Sequence, residues 1–515
     1  MGNKGILYST IVLSVASILS KMLGVILKVP LINIVGDYGM GLYQLPYPIY
    51  TTLLTFSYTG LSNAMSKSVS SYYSENDIIS IKKIFRLCLI TVIFISLIIS
   101  ILYFLSAHFI INIFKWPNDA YYAYISLAPA IFFVSLASIY RGLFNGLKEM
   151  EHTAISQIIE NIFRVTVGLS LCLILIKKSI SYSTAGAMLG ASVGSFFSLL
   201  YLVISKSKLN KEIFNFSRMN KKYKSNKHIF IPIITETFLF SITSLITSLI
   251  SITDSLLFPF LMFQDGYPMN FSSQVYGIFS GKVMTLIHVP LTFSISMSIS
   301  LIPYISSNKN NKNMISRLTL SSFRYIFIFC VPSFLGFIFF SKEIFSIIYF
   351  NNQNGEEILK VSAILILFIA ISQITTSILQ GIDRFYIPIK NILISLLIKI
   401  ILMFIFILYY HLNIYGCILA NIACYAIISI LNIIELTKYL NRQLNLTNFL
   451  YILIASVIMV ITGVLAKENA QIFNNYSINS ICILFICFIS YILALIIFGE
   501  IPIKIIQTII KRVKR

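Results

Sequence analysis

The chain has 515 residues, of which 57% are hydrophobic and 11% charged, and it carries a formal net charge of +21. Soluble domains carry about 25% charge, so a water-soluble globule is excluded and an all-α polytopic membrane protein is expected. Binding nucleic acid would require the basic residues on one soluble face, interleaved with aromatics; here they sit mainly in short loops, so no nucleic-acid partner is expected.

Apolar runs of roughly 20 residues or more, each long enough to cross about 30 Å of hydrocarbon as a helix, recur along the whole chain. In order they lie near 6–34, 42–70, 84–112, 118–143, 153–176, 182–205, 228–260, 273–305, 318–341, 357–382, 388–410, 412–437, 446–466 and 475–499, which predicts about 14 transmembrane helices. The first run continues to about Val35 without a small-residue cleavage site, so it reads as a retained span and not as a signal peptide. The seven cysteines, Cys88, Cys172, Cys330, Cys417, Cys424, Cys482 and Cys487, lie in or beside apolar segments with no ligand spacing, so no metal and no cofactor is expected.

Cytoplasmic loops retain Lys and Arg, and the split between alternate loops is lopsided. On the side of Lys4 lie Lys67, Lys82, Lys83, Arg86, Arg141, Lys148, the basic run Lys206 to Lys227, Lys309, Lys312, Arg317, Arg324, Arg384, Lys390, Lys438, Arg442 and the tail from Lys504 to Arg515. Opposite them are Lys115, Lys177, Lys178, Lys342, Lys360 and Lys467. Both termini are therefore expected in the cytoplasm, with the chain in the cytoplasmic (cell) membrane and the run at 206–227 beside anionic lipid headgroups.

The remaining five cations fall inside spans, where each costs about 2.5 to 3.5 kcal/mol on insertion scales and so demands a partner or a polar cavity. In span 1, Thr10, Ser14, Ser17, Lys21, Gly24 and Lys28 recur at steps of three and four and form one polar stripe. In span 5, Glu160 and Arg164 stand four residues apart, the spacing of a self-neutralising pair on one helix face. Span 7 carries Thr237, Ser241, Ser244, Ser248, Ser251 and Ser255 on one stripe and Glu236, Thr243, Thr247 and Asp254 on another. Span 8 has Lys282, Thr285 and Thr292 down one side with His288 beside them, and Lys399 sits mid-way along span 11. Spans 1, 7 and 8 are the expected cavity walls, with Lys21, Gly24, Lys28, Lys282, Thr285 and Asp254 as leading candidates. Ser17, Glu160, Arg164, Glu236, His288 and Lys399 are secondary ones.

An internal repeat is visible across the basic run. Gly142-Leu-Phe-Asn-Gly-Leu-Lys-Glu before span 5 is similar to Ser377-Ile-Leu-Gln-Gly-Ile-Asp-Arg before span 11, aligning Gly146 with Gly381. Tyr43 to Lys67 is likewise similar to Tyr276 to Ser306. Six spans separate the copies, so they insert in the same orientation, and parallel repeats hold substrate where the halves meet. The expected organisation is an N-lobe at 1–205, a basic linker at 206–227, a C-lobe at 228–437 and, at 438–515, two extra spans with a basic tail. Several cations among few carboxylates point to an anionic group such as pyrophosphate, with an accompanying lipid tail left in the bilayer.

The runs Ser20-Lys-Met-Leu-Gly-Val, Gly36-Asp-Tyr-Gly-Met-Gly-Leu-Tyr-Gln-Leu-Pro-Tyr-Pro, Ser57-Tyr-Thr-Gly-Leu-Ser-Asn-Ala-Met-Ser-Lys, Tyr140-Arg-Gly-Leu-Phe-Asn-Gly and Thr153-Ala-Ile-Ser-Gln-Ile-Ile-Glu resemble the stage V sporulation protein B branch of the polysaccharide and lipid II flippases. These belong to the multidrug/oligosaccharidyl-lipid/polysaccharide exporter superfamily. The resemblance implies a two-lobed flippase that moves an undecaprenyl-linked saccharide pyrophosphate by alternating access, without enzymatic chemistry. It also implies that Lys21 stands at a cavity arginine of the lipid II flippases and Lys28 one place beyond another. Tyr50 and Thr51 replace a basic pair of those flippases, which favours the sporulation branch. A cation-coupled multidrug antiporter is the alternative; it calls for a titratable carboxylate in the first lobe, where span 1 has lysines. A membrane glycan-processing enzyme would need paired acid and base groups near the outer surface, yet the outer loop near 262–272 offers only Asp265.

Overall fold

In a bilayer every backbone polar group must be satisfied within the chain, which leaves apolar segments little choice but helix. The computed structural model describes residues 3–55, 60–75, 77–213, 226–306, 311–350, 353–440, 449–469 and 476–499, and among these all regular structure is helical. Eleven helical segments among them are long and apolar enough to cross a membrane, or twelve when one bent pair counts as a single span. The protein is a multi-pass helical membrane protein. Its chain divides into two compact units, Met1–Gly281 and Lys282–Arg515.

The first unit holds α1 (Asn3–Gln44), α2 (Tyr47–Leu54), α3 (Gly60–Ser74), α4 (Ile78–Ile113), α5 (Ala120–Ser126), α6 (Ala128–Gly146), α7 (Met150–Leu175), α8 (Ile180–Ile213), α9 (Asn226–Gln264) and α10 (Met269–Tyr276). Several expected spans are broken. Gly36, at φ +69, interrupts α1, a backbone conformation open mainly to glycine. The stretch expected as one span at 118–143 is one span, Ala120–Gly146, with a local helix break at Leu127 between α5 and α6, where Pro129 in the first turn of α6 has no N–H to continue α5.

A π-helical turn follows at Gly277–Val283. Such a turn exposes backbone groups that an α-helix would pair, and the buried Gln44 amide donates to the Ser280 carbonyl at 3.0 Å.

The second unit holds α11 (Met284–Ser306), α12 (Lys312–Phe339), α13 (Ser341–Ile348), α14 (Glu356–Ser362), α15 (Leu365–Gly381), α16 (Tyr386–Phe404), a π turn at Ile405–Tyr409, α17 (Asn413–Leu440), α18 (Leu450–Asn469) and α19 (Tyr476–Ile497). The expected span at 357–382 is two helices, α14 and α15, bent by 41°. The last two helices are fastened to this unit by polar contacts. Lys467 of α18 pairs with the buried Glu343 of α13 at 2.6 Å, Ser346 donates to Ser480 of α19 at 3.1 Å, and the Tyr491 hydroxyl donates to the Ile328 carbonyl at 2.6 Å.

The two repeated runs end their helices in the same way. Leu147, Lys148 and Glu149 donate to the carbonyls of Leu143, Asn145 and Phe144; Ile382, Asp383 and Arg384 donate to those of Ile378, Gln380 and Leu379, position for position. Lys148 (φ +66) and Asp383 (φ +62) both take the left-handed conformation that closes such a turn. Each aligned glycine also lies against the corresponding neighbour. A Cβ on Gly146 would meet Val69 and Ser66 of α3, and one on Gly381 would meet Ile305 and Ile302 of α11.

Candidate functional site

The most connected polar cluster in the first unit is built on α6, α7 and α8. On α8, Gly186, Gly190 and Gly194 recur at four-residue steps and form a flat ridge against α7. A Cβ on Gly190 would lie 2.6 Å from the Arg164 carbonyl, and one on Gly194 would collide with the Glu160 carbonyl. This close approach brings Ser198 within reach of side chains from the neighbouring helices.

Glu160 is buried, and each of its oxygens takes one guanidinium: Arg164 Nη2 at 2.9 Å and Arg141 Nη2 at 2.7 Å. Arg141, on α6, also donates from Nε to Ser156 Oγ at 2.9 Å and from Nη2 to Ser198 Oγ at 2.8 Å. Arg141 therefore ties three helices together. Two guanidiniums share one carboxylate, which leaves the cluster with a surplus positive charge. Arg164 has one hydrogen bond, and its Nε is buried without a partner. Its charge also faces Tyr43, Tyr47 and Tyr50 of α1 and α2 closely enough to interact electrostatically. Those rings form a file, with centroids 6.2 and 5.9 Å apart.

The pair expected from spacing alone thus forms, and Arg141 joins it. By its place near the end of an apolar run, Arg141 groups with the loop cations in the sequence. Extending the alignment of Gly146 with Gly381 without gaps gives the signal that finds the cluster: Arg141 falls on Thr376, Ser156 on Asn391, Glu160 on Ser395 and Arg164 on Lys399.

In the second unit two of those positions, Thr376 and Asn391, belong to a polar network centred on Asn432. Asn391 of α16 donates to the Asn432 Oδ1 of α17 at 2.8 Å, and the Asn432 amide donates to Thr375 and Thr376 of α15 at 3.1 Å each. Asn391, Ser395 and Lys399 follow one another at four-residue steps along α16, all buried, with Lys399 at 0% exposure.

Residues 6–309, more than half of the chain, match the family described as polysaccharide biosynthesis protein. The chain belongs to that family. Within the polysaccharide biosynthesis family, it is 24% identical over 473 residues to Stage V sporulation protein B of Bacillus subtilis (strain 168), covering 92% of this chain and 90% of that protein. It is 24% identical over 419 residues to Lipid II flippase MurJ of the same organism, covering 77% and 76% respectively. Its fold is that of the solved Lipid II flippase MurJ in an inward closed conformation, with TM-score 0.68 at 20% identity, over 95% of this chain and 98% of the other. The motifs that resembled this family therefore do mark a member of it.

The other candidates of this polysaccharide biosynthesis protein are distributed over both units. The side chains of Ser17, Lys21 and Glu236 lie outside the described residues. On α1, Lys28 is partly buried and Gly24 has open space where a Cβ would project. Asp254 is buried on α9. In the second unit, Lys282 is fully buried; its ammonium donates to the Asn354 carbonyl at 3.2 Å and lies 5.6 Å from the Tyr349 ring centroid, while the Tyr349 hydroxyl donates to the Lys282 carbonyl. Thr285, one turn along, is buried, and His288 is exposed. Among the described residues no group of three or more His, Cys, Asp or Glu is arranged to hold a metal ion.

Proposed function

We propose that this protein is a flippase that carries a polyprenyl-linked cell-wall or polysaccharide precursor across the cytoplasmic membrane by alternating access, in the branch that serves spore-cortex synthesis. The observation that carries this reading is the surplus of positive charge inside the first unit's spans: Arg141 and Arg164 share one carboxylate, Glu160. Buried charge is costly unless a counter-charge is supplied, and the pyrophosphate of a lipid-linked saccharide supplies it. Two relatives are named for a lipid II flippase and for a stage of sporulation, which supports both the transport reading and its branch.

In the first unit Lys21, Gly24, Lys28 and Asp254, and in the second Lys282 and Thr285, are the residues assigned to taking up the pyrophosphate. Lys282 exchanges its bond to the Asn354 carbonyl for one to phosphate, a charge-assisted and stronger partner. The lipid tail stays among membrane lipids, and the distribution of Lys and Arg supports cytoplasmic termini. The reading contains no covalent step.

The test is the double variant Lys21→Gln/Lys282→Gln, reconstituted in vesicles with a lipid-linked saccharide. Translocation should fall at least about tenfold, the loss that follows from removing one or more charge-assisted bonds. Translocation at the parental rate, with normal expression, rejects the cationic mechanism.

A further inference from the structure

Arg141 alone neutralises Glu160 and holds α6, α7 and α8 together through three side-chain bonds. Arg164 is therefore not needed for either purpose. An arginine inside a span that has one hydrogen bond, an unpartnered Nε and a partly exposed side chain is a charge with donors to spare.

The internal repeat supports the same conclusion independently. The second copy keeps a cation at the equivalent place, Lys399, but has Ser395 where the first has Glu160. The cation is common to both copies and the carboxylate is not, so the cation is not there to serve the carboxylate.

We propose that Arg164, with the phenol groups of Tyr43 and Tyr47, is a phosphoanion-binding site of the first unit, and that Glu160 holds the guanidinium in place while the site is empty. The guanidinium fork presents paired donors that match phosphate oxygens. The phenols add neutral donors that need not be desolvated as charges, and their ring faces accept the apolar or sugar part of the ligand. Arg164 is a binding residue in this account, while Arg141 and Glu160 are positioning residues. The identity of the natural ligand rests on the flippase reading; the existence of the anion site does not.

The full-length protein in zwitterionic nanodiscs is titrated calorimetrically with inorganic pyrophosphate. Arg164→Gln should weaken binding at least about tenfold, and Arg164→Lys, which keeps the charge but loses the fork, should fall between the two. Tyr47→Phe leaves every charge in place and should weaken binding about two- to tenfold; it decides the matter if Arg164→Gln does not fold. Competition by farnesyl pyrophosphate assigns the anion to a polyprenyl carrier, and competition by phosphatidylglycerol assigns it to a lipid headgroup. Absence of pyrophosphate binding by the parental protein overturns the site, as does unchanged binding by folded Arg164→Gln or, failing that, by Tyr47→Phe. Unchanged binding by the folded variant overturns the site and leaves the flippase reading standing, whereas absence of binding by the parental protein removes both. Conversely, Arg164-dependent binding in a protein that moves no lipid-linked saccharide keeps the site and removes the flippase reading.

Discussion

The two copies of the repeat solve one packing problem with different chemistry. In the first unit, α6, α7 and α8 are joined by a charge, Arg141 on Glu160, Ser156 and Ser198, with Arg164 on the same carboxylate. In the second, α15, α16 and α17 are joined by neutral amides and hydroxyls, Asn391, Asn432, Thr375 and Thr376, of which Asn391 and Thr376 match the positions of Ser156 and Arg141. A neutral network is satisfied by hydrogen bonds alone, whereas a charged one must also balance its charge, and the first cluster does not. The difference separates what the architecture needs, a polar tie between three helices, from what is additional, an uncompensated guanidinium.

Four substitutions, one of them added to another, probe this contrast through thermal or denaturant unfolding of the purified protein. Glu160→Gln should have the largest effect, about 3–5 kcal/mol of destabilisation, because it leaves two guanidiniums facing each other without their shared carboxylate. Adding Arg164→Met should recover part of that loss; no recovery would show that Arg164 serves the tie after all. Asn432→Ala should cost about 2–3 kcal/mol, since it removes three hydrogen bonds and strands the buried Asn391 amide. Lys399→Met should have the smallest effect, below that of Asn432→Ala, because Lys399 takes no part in the hydrogen bonds among Asn391, Asn432, Thr375 and Thr376. A cost above that of Asn432→Ala would make Lys399 part of the tie and erase the distinction between the two units.

Most of the fold was legible in the sequence because lipid simplifies the problem: an apolar run long enough to cross the bilayer must be a helix. Where runs were broken, the reason was local at Gly36 and Pro129, whose backbone limits are visible in the letters. The bend between α14 and α15 has no proline or glycine at the break and could not be read that way. The aligned run Gly142 to Glu149 and Ser377 to Arg384 was legible as a repeat because both helices must end in the same tight turn.

The candidate site was legible only along single helices. Spacing of four residues makes Glu160 and Arg164 neighbours wherever α7 packs, so the sequence by itself determined that pair. Tertiary structure alone decided that Arg141 completes the cluster, that the glycine ridge of α8 admits Ser198 to it, and that Lys282 reaches the carbonyl of Asn354. Contacts within a helix repeat with its period and leave a pattern in the chain. Contacts between helices depend on how closely two backbones approach and on how each helix is turned about its axis, and no periodicity of one segment records either.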